Sequence, residues 1–362
     1  MSLGIRERFE IAFAPPRYLL PPAAGIDISL SSIKAVTLAS TSYGLLVDKI
    51  IDVRLPAGAF SEGEVINRFA VVEALKNVMH QAGAEVAHIS LPESKSYLFE
   101  THAPGRTKEE WRLSVEQHLD EIIPLPPEET SFDIVRIGKP ENGEQPLAGI
   151  GFARRIVDET LSVFDEAGIT ALSLESETFS TARALLPHGD DSTVLIIDFG
   201  RTTTKIAIVA GRIPRFATTI NIGGHALTLA VQKHFGVTEA EARKVKTERG
   251  IVSAPGNEDY IAAMLSTVSA VKDEIERRLE YWQSRAALSS AHEPVARAIL
   301  VGGNASVRGL PEYLEGVLHI PVSAGDVFTN LAPRAYWLPE FDYAESLAYA
   351  TVIGLALRSH VP

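Results

Sequence analysis

L-I-I-D-F-G-R-T-T-T-K-I-A-I-V at residues 195–209 repeats the pattern of A-G-I-D-I-S-L-S-S-I-K-A-V-T-L at residues 24–38. Aligned without a gap, Asp198 meets Asp27 and Lys205 meets Lys34. Each copy is an apolar run that ends at an acid, passes through a turn of small polar residues and continues as an alternating strand. This pattern predicts a β-hairpin. Two such hairpins half a chain apart indicate a duplicated α/β fold of two lobes with a cleft between them.

Composition and charge exclude several kinds of site. The 362 residues are 46% hydrophobic and 22% charged, which suits two lobes with buried cores. A formal net charge of −12 argues against a general attraction to nucleic acid or acidic lipid. The absence of cysteine excludes disulfides and zinc–thiolate sites and fits a reducing cytoplasm. Residues 1–16 carry charges where a signal peptide needs an apolar run, and no stretch approaches the length of a membrane span.

Hydrophobic periodicity between and after the hairpins predicts alternating strands and helices. A helix is predicted over 64–81, with Val65, Phe69, Val72 and Leu75 near helical spacing on its apolar face, and a flexible loop over 138–146. Further strands are predicted at 47–55, 88–91, 132–137, 147–152 and 298–301, and further helices from about 107, 155, 224, 238, 258 and 343.

The two hairpin turns have the chemistry of a polyphosphate site. Magnesium takes one or two carboxylates together with phosphate oxygens and water, so Asp27 and Asp198 are the predicted metal ligands. Small residues let a phosphate approach backbone N–H groups, and hydroxyls add donors. The predicted phosphate contacts are Ser29, Ser31, Ser32, Lys34, Gly200, Thr202 and Thr203. Either acid alone would be explained by an Asx turn, whereas the pair favours the site.

Two glycine pairs follow strands and precede helix starts, where a nucleotide can lie against bare backbone. The first pair is Gly223 and Gly224, and the second is Gly302 and Gly303, followed by Asn304 and Ser306. Neither a G-x-x-x-x-G-K-[ST] nor a G-x-G-x-x-G sequence is present, so P-loop and Rossmann interpretations are excluded.

As an ordered set, these motifs resemble the phosphate-1, phosphate-2 and adenosine motifs of the actin, heat-shock-70 and sugar-kinase superfamily. Within it, the detail resembles the PilM family of type IV pilus assembly proteins. The resemblance covers about residues 23–358 and includes I-S-L-P-E-S at 89–94, H-L-D-E-I-I-P-L-P at 118–126, E-S-E-T-F at 175–179, V-G-G-N-A-S at 301–306 and A-E-S-L-A-Y-A-T-V-I-G-L-A-L at 344–357.

The resemblance implies an actin-like (ribonuclease H-like) duplicated α/β fold with an inserted subdomain, 1C. Its parts are expected at 1–22 (N-terminal extension), 23–84 (first part of subdomain 1A), 85–170 (subdomain 1C), 171–192 (lobe-crossing helix), 193–340 (second lobe, 2A/2B, nucleotide binding) and 341–362 (C-terminal helix returning to 1A). It also implies ATP or ADP with Mg²⁺ as the ligand, and it adds Glu241 and Lys246 as adenosine contacts.

The resemblance further implies a scaffold at the cytoplasmic face of the inner membrane. Its partner would be the cytoplasmic N-terminal peptide of a PilN-like membrane protein, held in a groove between 1A and 1C. Membrane association would pass through that partner. Other inner-membrane pilus components and further copies of the chain are additional partners that the resemblance allows, and nucleic acid is not expected.

The first turn departs from the family pattern, since Ser29 stands for the usual glycine and Leu30 for a small residue. Both side chains narrow the approach of a phosphate, so hydrolysis is in doubt and a weak ATPase is the most that is expected. Two alternatives stay open. A sugar or acid kinase of the superfamily would need an additional carboxylate base, and an FtsA-type cell-division homologue would need an amphipathic membrane helix, which is not seen before Pro362.

Overall fold

A five-stranded sheet forms the base of the first lobe. The computed structural model describes residues 23–288, 292–339 and 342–360, so the expected N-terminal extension at 1–22 lies outside the described residues. In spatial order the strands are β10 (Thr170–Ser176), β6 (Val86–Leu91), β1 (Ala23–Ile28), β2 (Ser32–Thr41) and β3 (Gly44–Arg54). Strands β1 and β2 form the first predicted hairpin, and β1 also pairs in parallel with β6.

The sheet of the second lobe repeats this pairing. Its strands, in spatial order, are β13 (Ile213–Ile220), β12 (Thr204–Ala210), β11 (Thr193–Phe199), β14 (Arg297–Val301) and β15 (Val322–Ala324). Strands β11 and β12 form the second predicted hairpin, and β11 pairs in parallel with β14. Asp198 lies opposite Lys205 as Asp27 lies opposite Lys34. The predicted duplication is therefore confirmed in the strand pairing.

Helices cover the faces of these sheets. They are α1 (Arg68–Ala82), α2 (Lys108–Glu116), α3 (Leu119–Ile122), α4 (Arg154–Glu166), α5 (Glu177–Leu185), α6 (Gly224–Phe235), α7 (Glu239–Arg249), α8 (Glu258–Leu288), α9 (Leu310–Leu318), α10 (Tyr343–Ser346) and α11 (Ala350–Leu357). Single 3₁₀ turns lie at Glu93–Lys95, Pro127–Glu129 and Leu347–Tyr349. Within the described ranges, no helix has the length and apolar character that a membrane crossing requires.

A third, three-stranded sheet is inserted into the first lobe, with the order β7 (Ser96–Pro104), β9 (Glu144–Ala153) and β8 (Thr130–Arg136). Helix α2 begins at the capping box of Thr107 and Glu110, and the insert has its own apolar core. That core includes Phe99, Val115, Leu119, Ile123, Phe132 and Leu147. A small hairpin, β4 (Phe60–Ser61) and β5 (Glu64–Val65), precedes α1.

The expected insert at 85–170 is wider than the separate sheet. Strand β6 belongs to the first-lobe sheet, and α4 contributes Val163 and Phe164 to the first-lobe core. Only residues 96–153 therefore form the inserted layer. The loop expected at 138–146 also ends early, because β9 begins at Glu144 and Gln145 is buried.

The predicted helix at 64–81 begins later than its apolar pattern suggested. Val65 pairs in the β4–β5 hairpin, and the Asn67 side chain caps α1 by accepting the Ala70 N–H at 3.1 Å. Phe69, predicted to be buried, is 75% exposed. Val72 and Leu75 are buried, on a face that also includes Val71, Ala74, Val78, Met79 and Ala82. Phe69 lies six residues before Leu75, about 120° away around the helix axis, and therefore falls outside this face.

Two glycines let the C-terminal helix α11 pack tightly on the first lobe. A Cβ added at Gly25 would collide with the carbonyl oxygen of Val352, and one at Gly354 would collide with the carbonyl oxygen of Ser180 on α5. Helix α11 is buried along its whole length. Strand β1, α5 and α11 therefore form the layer on which the junction of the two lobes is built.

Candidate functional site

The turns of the two hairpins have the same backbone geometry. The Ser29 N–H donates to the Ser32 carbonyl at 2.9 Å, and the Gly200 N–H donates to the Thr203 carbonyl at 3.0 Å. The Ser29 hydroxyl also donates to the Ser32 carbonyl at 2.8 Å. The N–H of Ser29, predicted as a phosphate donor, is therefore used to close the turn.

The two predicted metal ligands have different neighbours. Asp27 accepts a hydrogen bond from the Ser90 hydroxyl, with 2.6 Å between Oγ and Oδ1. Asp198 Oδ2 lies 3.5 Å from the Lys205 ammonium, and its other oxygen packs against Gly302, where a Cβ would collide with it. Neither carboxylate is an isolated surface group.

Lys205 and Glu177 are the residues that the sequence analysis missed. Lys205 Nζ lies 2.8 Å from a Glu177 oxygen, and both side chains are largely buried. Burial alone would lower the pKa of Lys205, but Glu177, Asp198 and Asp27 together raise it above its usual value. Burial raises the pKa of Glu177 to about 7, although Lys205 opposes this, and Asp27 and Glu93 add to the rise. One ammonium therefore interacts with acids from both hairpins.

A signal for both residues was present in the sequence. Lys205 occupies the position aligned with Lys34, and Glu177 lies in the first turn of the helix that follows the first-lobe strands. Polar contacts at the start of α5 fix Glu177 in place. Its carboxylate accepts the Glu93 N–H at 3.2 Å, and the Glu93 carboxylate accepts the Thr178 N–H at 3.0 Å. The lysine repeated at equal spacing after each acid was visible in the sequence, but only Lys205 enters the charged cluster.

The 3₁₀ turn Leu347–Tyr349 joins the two halves of the candidate site. Lys34 Nζ donates to the Ala348 carbonyl at 2.7 Å and lies 4.8 Å from the centre of the Tyr349 ring. The neighbouring carbonyl of Leu347 accepts the Gly302 N–H at 2.9 Å. Gly302 has a φ of 90°, a conformation that favours glycine. The first hairpin and the Gly302–Gly303 loop are thereby brought together.

A buried amide and a buried lysine connect the remaining loops. Asn304 donates to the Gly200 carbonyl at 2.8 Å and accepts from Lys246 Nζ at 2.5 Å. Lys246 also donates to the Gly224 carbonyl at 3.2 Å. Burial, together with the smaller effect of the Arg243 charge, lowers the pKa of Lys246 to about 8. Three predicted segments, the second turn, the second glycine pair and α7, therefore meet at Asn304.

The first glycine pair is used for packing. The N–H groups of Gly224 and His225 donate to the carbonyls of Gly200 and Arg201 at 2.9 and 2.7 Å. A Cβ at Gly223 would lie 2.6 Å from the Arg201 carbonyl oxygen. The start of α6, predicted to face a ribose or phosphate, instead presents these two N–H groups to the second turn.

Other predicted residues lie at the edges of this arrangement. Glu241 is exposed, and its carboxylate accepts the Thr238 N–H in the capping box of α7. Thr202 is exposed at the tip of the second turn, while Ser31 and Ser306 are half-buried and Ser32 is buried. The structure brings the acids, Lys205 and the Gly302–Asn304 loop together, and it leaves Glu241 on the outer surface.

Magnesium held directly by Asp27 and Asp198 would have to share these carboxylates with Ser90 and Lys205, and the magnesium site stays a prediction. The ion needs oxygen ligands at about 2.0–2.1 Å in near-octahedral geometry. Asp27 is already hydrogen-bonded to Ser90, and an ammonium faces Asp198. Across the described residues, no group of three or more His, Asp or Glu side chains is placed to hold a metal ion.

One ammonium lies among carboxylates and hydroxyls at the junction. A small cavity lies between α5 and the second-lobe sheet, and Glu177, Thr178, Thr181, Ile196, Asp198 and Lys205 line it. Hydroxyls and an ammonium supply donors, while the neighbouring acids hold the ammonium in position. Two carboxylates and one ammonium line the cavity, so it is charged but has no net positive charge.

Comparison with known proteins gives the fold and the family. The cell division protein FtsA of Neisseria meningitidis serogroup B is 20% identical over 315 residues, which are 75% of this chain and 75% of that protein. A solved PilM–PilN type IV pilus biogenesis complex matches with a TM-score of 0.75 at 20% identity, covering 94% of this chain and 99% of that one. MreB5 of Spiroplasma citri, bound to ADP, matches with a TM-score of 0.55 at 13% identity, covering 86% and 93%.

These likenesses confirm the predicted actin-like fold. A sequence model for a single family, described as type IV pilus assembly protein PilM, matches residues 25–360, nearly the whole chain. The chain therefore belongs to the PilM family of type IV pilus assembly proteins.

Proposed function

We propose that this chain is a nucleotide-binding scaffold of a type IV pilus assembly platform at the cytoplasmic face of the inner membrane. It would bind the N-terminal peptide of a PilN-like membrane protein, as the solved PilM–PilN complex suggests. The observation that carries the proposal is the meeting of two acid-bearing hairpins at one lobe junction, in a chain of this family. Contacts with other inner-membrane components and self-association are part of the same proposal.

The nucleotide would be ATP or ADP, held between the lobes. The hydroxyl-bearing turns and Lys205 would contact its phosphates, and the Gly302–Asn304 loop would contact its nucleoside. The ADP-bound MreB5 structure supports this placement only through the shared fold. Because the ligand would touch both hairpins, its binding would favour one relative position of the lobes. A nucleotide-dependent lobe position is what a switchable scaffold requires.

The peptide would lie in a groove on the first lobe beside the insert. Ile28, Phe60, Val65, Pro92, Ile156 and Thr160 line this groove, which lies between the small β4–β5 hairpin and the start of α4. Apolar side chains dominate the lining, and the salt bridges of Glu64 with Lys95 and Arg155 lie beside it. A short segment with apolar anchors is the ligand that such a groove accommodates. Ser90 lines the groove and donates to Asp27, so the groove adjoins the lobe junction.

The substitution Thr160→Arg tests the peptide site. Thr160 is half-buried on α4 and faces the groove, so an arginine there should obstruct the peptide and lower its affinity by about tenfold or more. Fluorescence anisotropy would measure binding of a labelled synthetic peptide with the N-terminal sequence of the PilN-like protein from the same genome. Leu172→Arg is the matched control, because Leu172 is 50% exposed on β10 and does not line the groove.

The outcomes distinguish a wrong peptide partner from a wrong location of its binding site. Equal losses in both variants would point to a general effect of added charge. Unchanged affinity in Thr160→Arg would remove this groove from the proposal. Absence of peptide binding by the unmodified chain would overturn the partner itself.

A further inference from the structure

One carboxylate of the insert contacts three basic side chains of the second lobe. Glu100 lies on β7, at an edge of the inserted sheet. Its Oε1 accepts from Arg215 Nη1 at 2.9 Å, and its Oε2 accepts from His292 Nε2 at 2.7 Å. Arg285 Nη2 lies 3.7 Å from the same Oε2. Since Arg215 is on β13, Arg285 on α8 and His292 between α8 and β14, the contact joins the insert to the second lobe.

The bases are fixed on the second lobe. The side chains of Glu100, Arg215 and His292 are all largely buried. The His292 ring packs edge-on against Trp282, with 4.9 Å between the ring centres. Trp282 is buried on α8 and donates to the Glu293 carbonyl at 2.9 Å. The basic surface is therefore part of the second-lobe packing, and Glu100 is the group that the insert brings to it.

The burial of Arg215 is only partly compensated by Glu100. Burial lowers the pKa of Arg215, and the charge and hydrogen bond of Glu100 oppose this shift without cancelling it. The Arg215 Nε atom is also buried, and no group among the described residues accepts a hydrogen bond from it. Water would accept that bond if the two surfaces separated. A buried ion pair with an unused donor contributes little net stability, so separation of the surfaces is accessible.

Strand β7 connects this contact to the proposed peptide groove. Pro92 lines the groove, and a 3₁₀ turn and then β7 follow it directly. Within the turn, Lys95 pairs with Glu64 beside the groove at 3.1 Å, and the Glu93 carboxylate accepts an N–H of α5 at the lobe junction at 3.0 Å. The segment from Pro92 to Glu100 therefore contacts the groove, the lobe junction and the second lobe in turn.

We propose that Glu100 is a releasable latch between the insert and the second lobe, through which occupancy of the peptide groove and the relative position of the lobes affect each other. The latch rests on the contacts of Glu100 alone, and its link to the groove rests on the proposed peptide binding. A peptide that displaces the turn after Pro92 would move β7 and withdraw Glu100 from its bases. A lobe movement that separates β13 from β7 would displace the same turn, so the coupling is reciprocal.

The latch is tested by the distance between the insert and the second lobe. The chain has no cysteine, so Glu109→Cys on α2 and Glu280→Cys on α8, both at exposed positions, provide two specific sites for spin labels. Double electron–electron resonance on this labelled chain should give one narrow distance distribution. Adding Glu100→Gln, which keeps the side-chain shape and removes its charge, should shift or broaden that distribution by more than about 2 Å, the scale of a domain rearrangement.

Glu128→Gln is the matched control, because Glu128 is an exposed glutamate of the insert outside the latch, and it should leave the distribution unchanged. His292→Gln removes one base and keeps Glu100, so it should change the distribution in the same direction by less. Thermal melting shows whether each variant folds, and His292→Gln decides if Glu100→Gln does not. An unchanged distribution in the folded variants would overturn the latch.

The link to the groove is tested with the synthetic PilN-like peptide. A saturating concentration of peptide should change the distance distribution of the labelled chain in the direction that Glu100→Gln does. Glu100→Gln should also bind the peptide about threefold or more tightly, because the cost of opening the latch is already removed. Equal peptide affinities would overturn the link and leave the latch intact. Absence of peptide binding by the unmodified chain would overturn the proposed partner together with the link, while the distance measurement still decides the latch.

Discussion

The first and second hairpins have the same strand register and the same turn bond, yet equivalent side chains meet different environments. Lys34 is bonded to the C-terminal 3₁₀ turn, and Lys205 is held by acids at the lobe junction. The backbone of a duplicated unit is thus kept by its local hydrogen bonds. The function of each copy depends on what packs against it.

A second pair of equivalent positions shows the same divergence in the cores. Gly25 lies next to His88 across β1 and β6, and Ile196 lies next to Ile299 across β11 and β14. The first pair leaves space for the backbone of α11, whereas the second fills the corresponding space with side chains. In the first lobe, Gly25 in place of an apolar side chain therefore allows close contact between β1 and α11.

Gly25→Ala should give the largest effect in this comparison. The added Cβ would collide with Val352 and Ala356 backbone atoms, and a helix backbone cannot move aside as a side chain can. We expect a loss of about 3 kcal/mol or more in the free energy of unfolding, from the upper range of overpacked cores. At the equivalent position, Ile196→Val should cost about 1 kcal/mol. Urea denaturation monitored by circular dichroism measures both.

The ratio of the two effects is the informative quantity. A loss below that of Ile196→Val would mean that α11 can shift away from β1. The tight packing would then not be what distinguishes the first lobe from the second.

His88 should make the first lobe sensitive to acid, whereas Ile299 has no proton to gain. Burial lowers the pKa of His88 to about 4; Glu175 opposes this shift, and Arg358, Arg183 and His360 add to it. The histidine is neutral in the fold and binds a proton more readily when unfolded. Its contribution is therefore intact above about pH 6.5 and is lost as the pH falls toward 4.

At pH 5 this linkage amounts to about 2 kcal/mol. Urea midpoints at pH 7.5 and 5.0 should accordingly fall less in His88→Gln than in the unmodified chain. His80→Gln, at an exposed histidine on α1, serves as the control and should behave as the unmodified chain does. Equal acid losses in His88→Gln and the unmodified chain would show that His88 is not the titrating group.

The repeat in the sequence was enough to predict the two hairpins, the acid–lysine pairing and the duplicated fold, because each is set by local alternation and turn chemistry. The family resemblance added two further predictions, the C-terminal helix that returns to the first lobe and the segment that contains Lys246. Boundaries were less accurate where capping mattered, as at Asn67, since one side-chain hydrogen bond decides where a helix begins. The expected insert at 85–170 included β6 and α4 because a sequence pattern does not show which sheet a strand or helix packs against.

The charged centre was the part that sequence patterns could not supply. Glu177 and Lys205 meet only after α5 crosses between the lobes, and their contact depends on long-range packing. For the same reason, the sequence did not show that the N–H groups of Ser29 and Gly224 donate to carbonyls within the protein. Residue type predicts which groups can bind a phosphate, and tertiary structure decides which of them remain free.

The smallest expected effect comes from making the first turn resemble the second. In Ser29→Gly the turn loses the hydroxyl that donates to the Ser32 carbonyl and accepts the Ser32 N–H, and the unfolded chain gains freedom. We expect a loss of about 0.5–1 kcal/mol in the free energy of unfolding. Ser29→Ala separates the two causes, because it removes the hydroxyl alone. The opposite change, Gly200→Ser, places a Cβ 2.9 Å from the Thr203 carbonyl oxygen, so the second turn should not gain from a serine. If Ser29→Gly were as stable as the unmodified chain, the serine would have no structural use in the turn. Its presence at the lobe junction would then have to be explained by ligand binding.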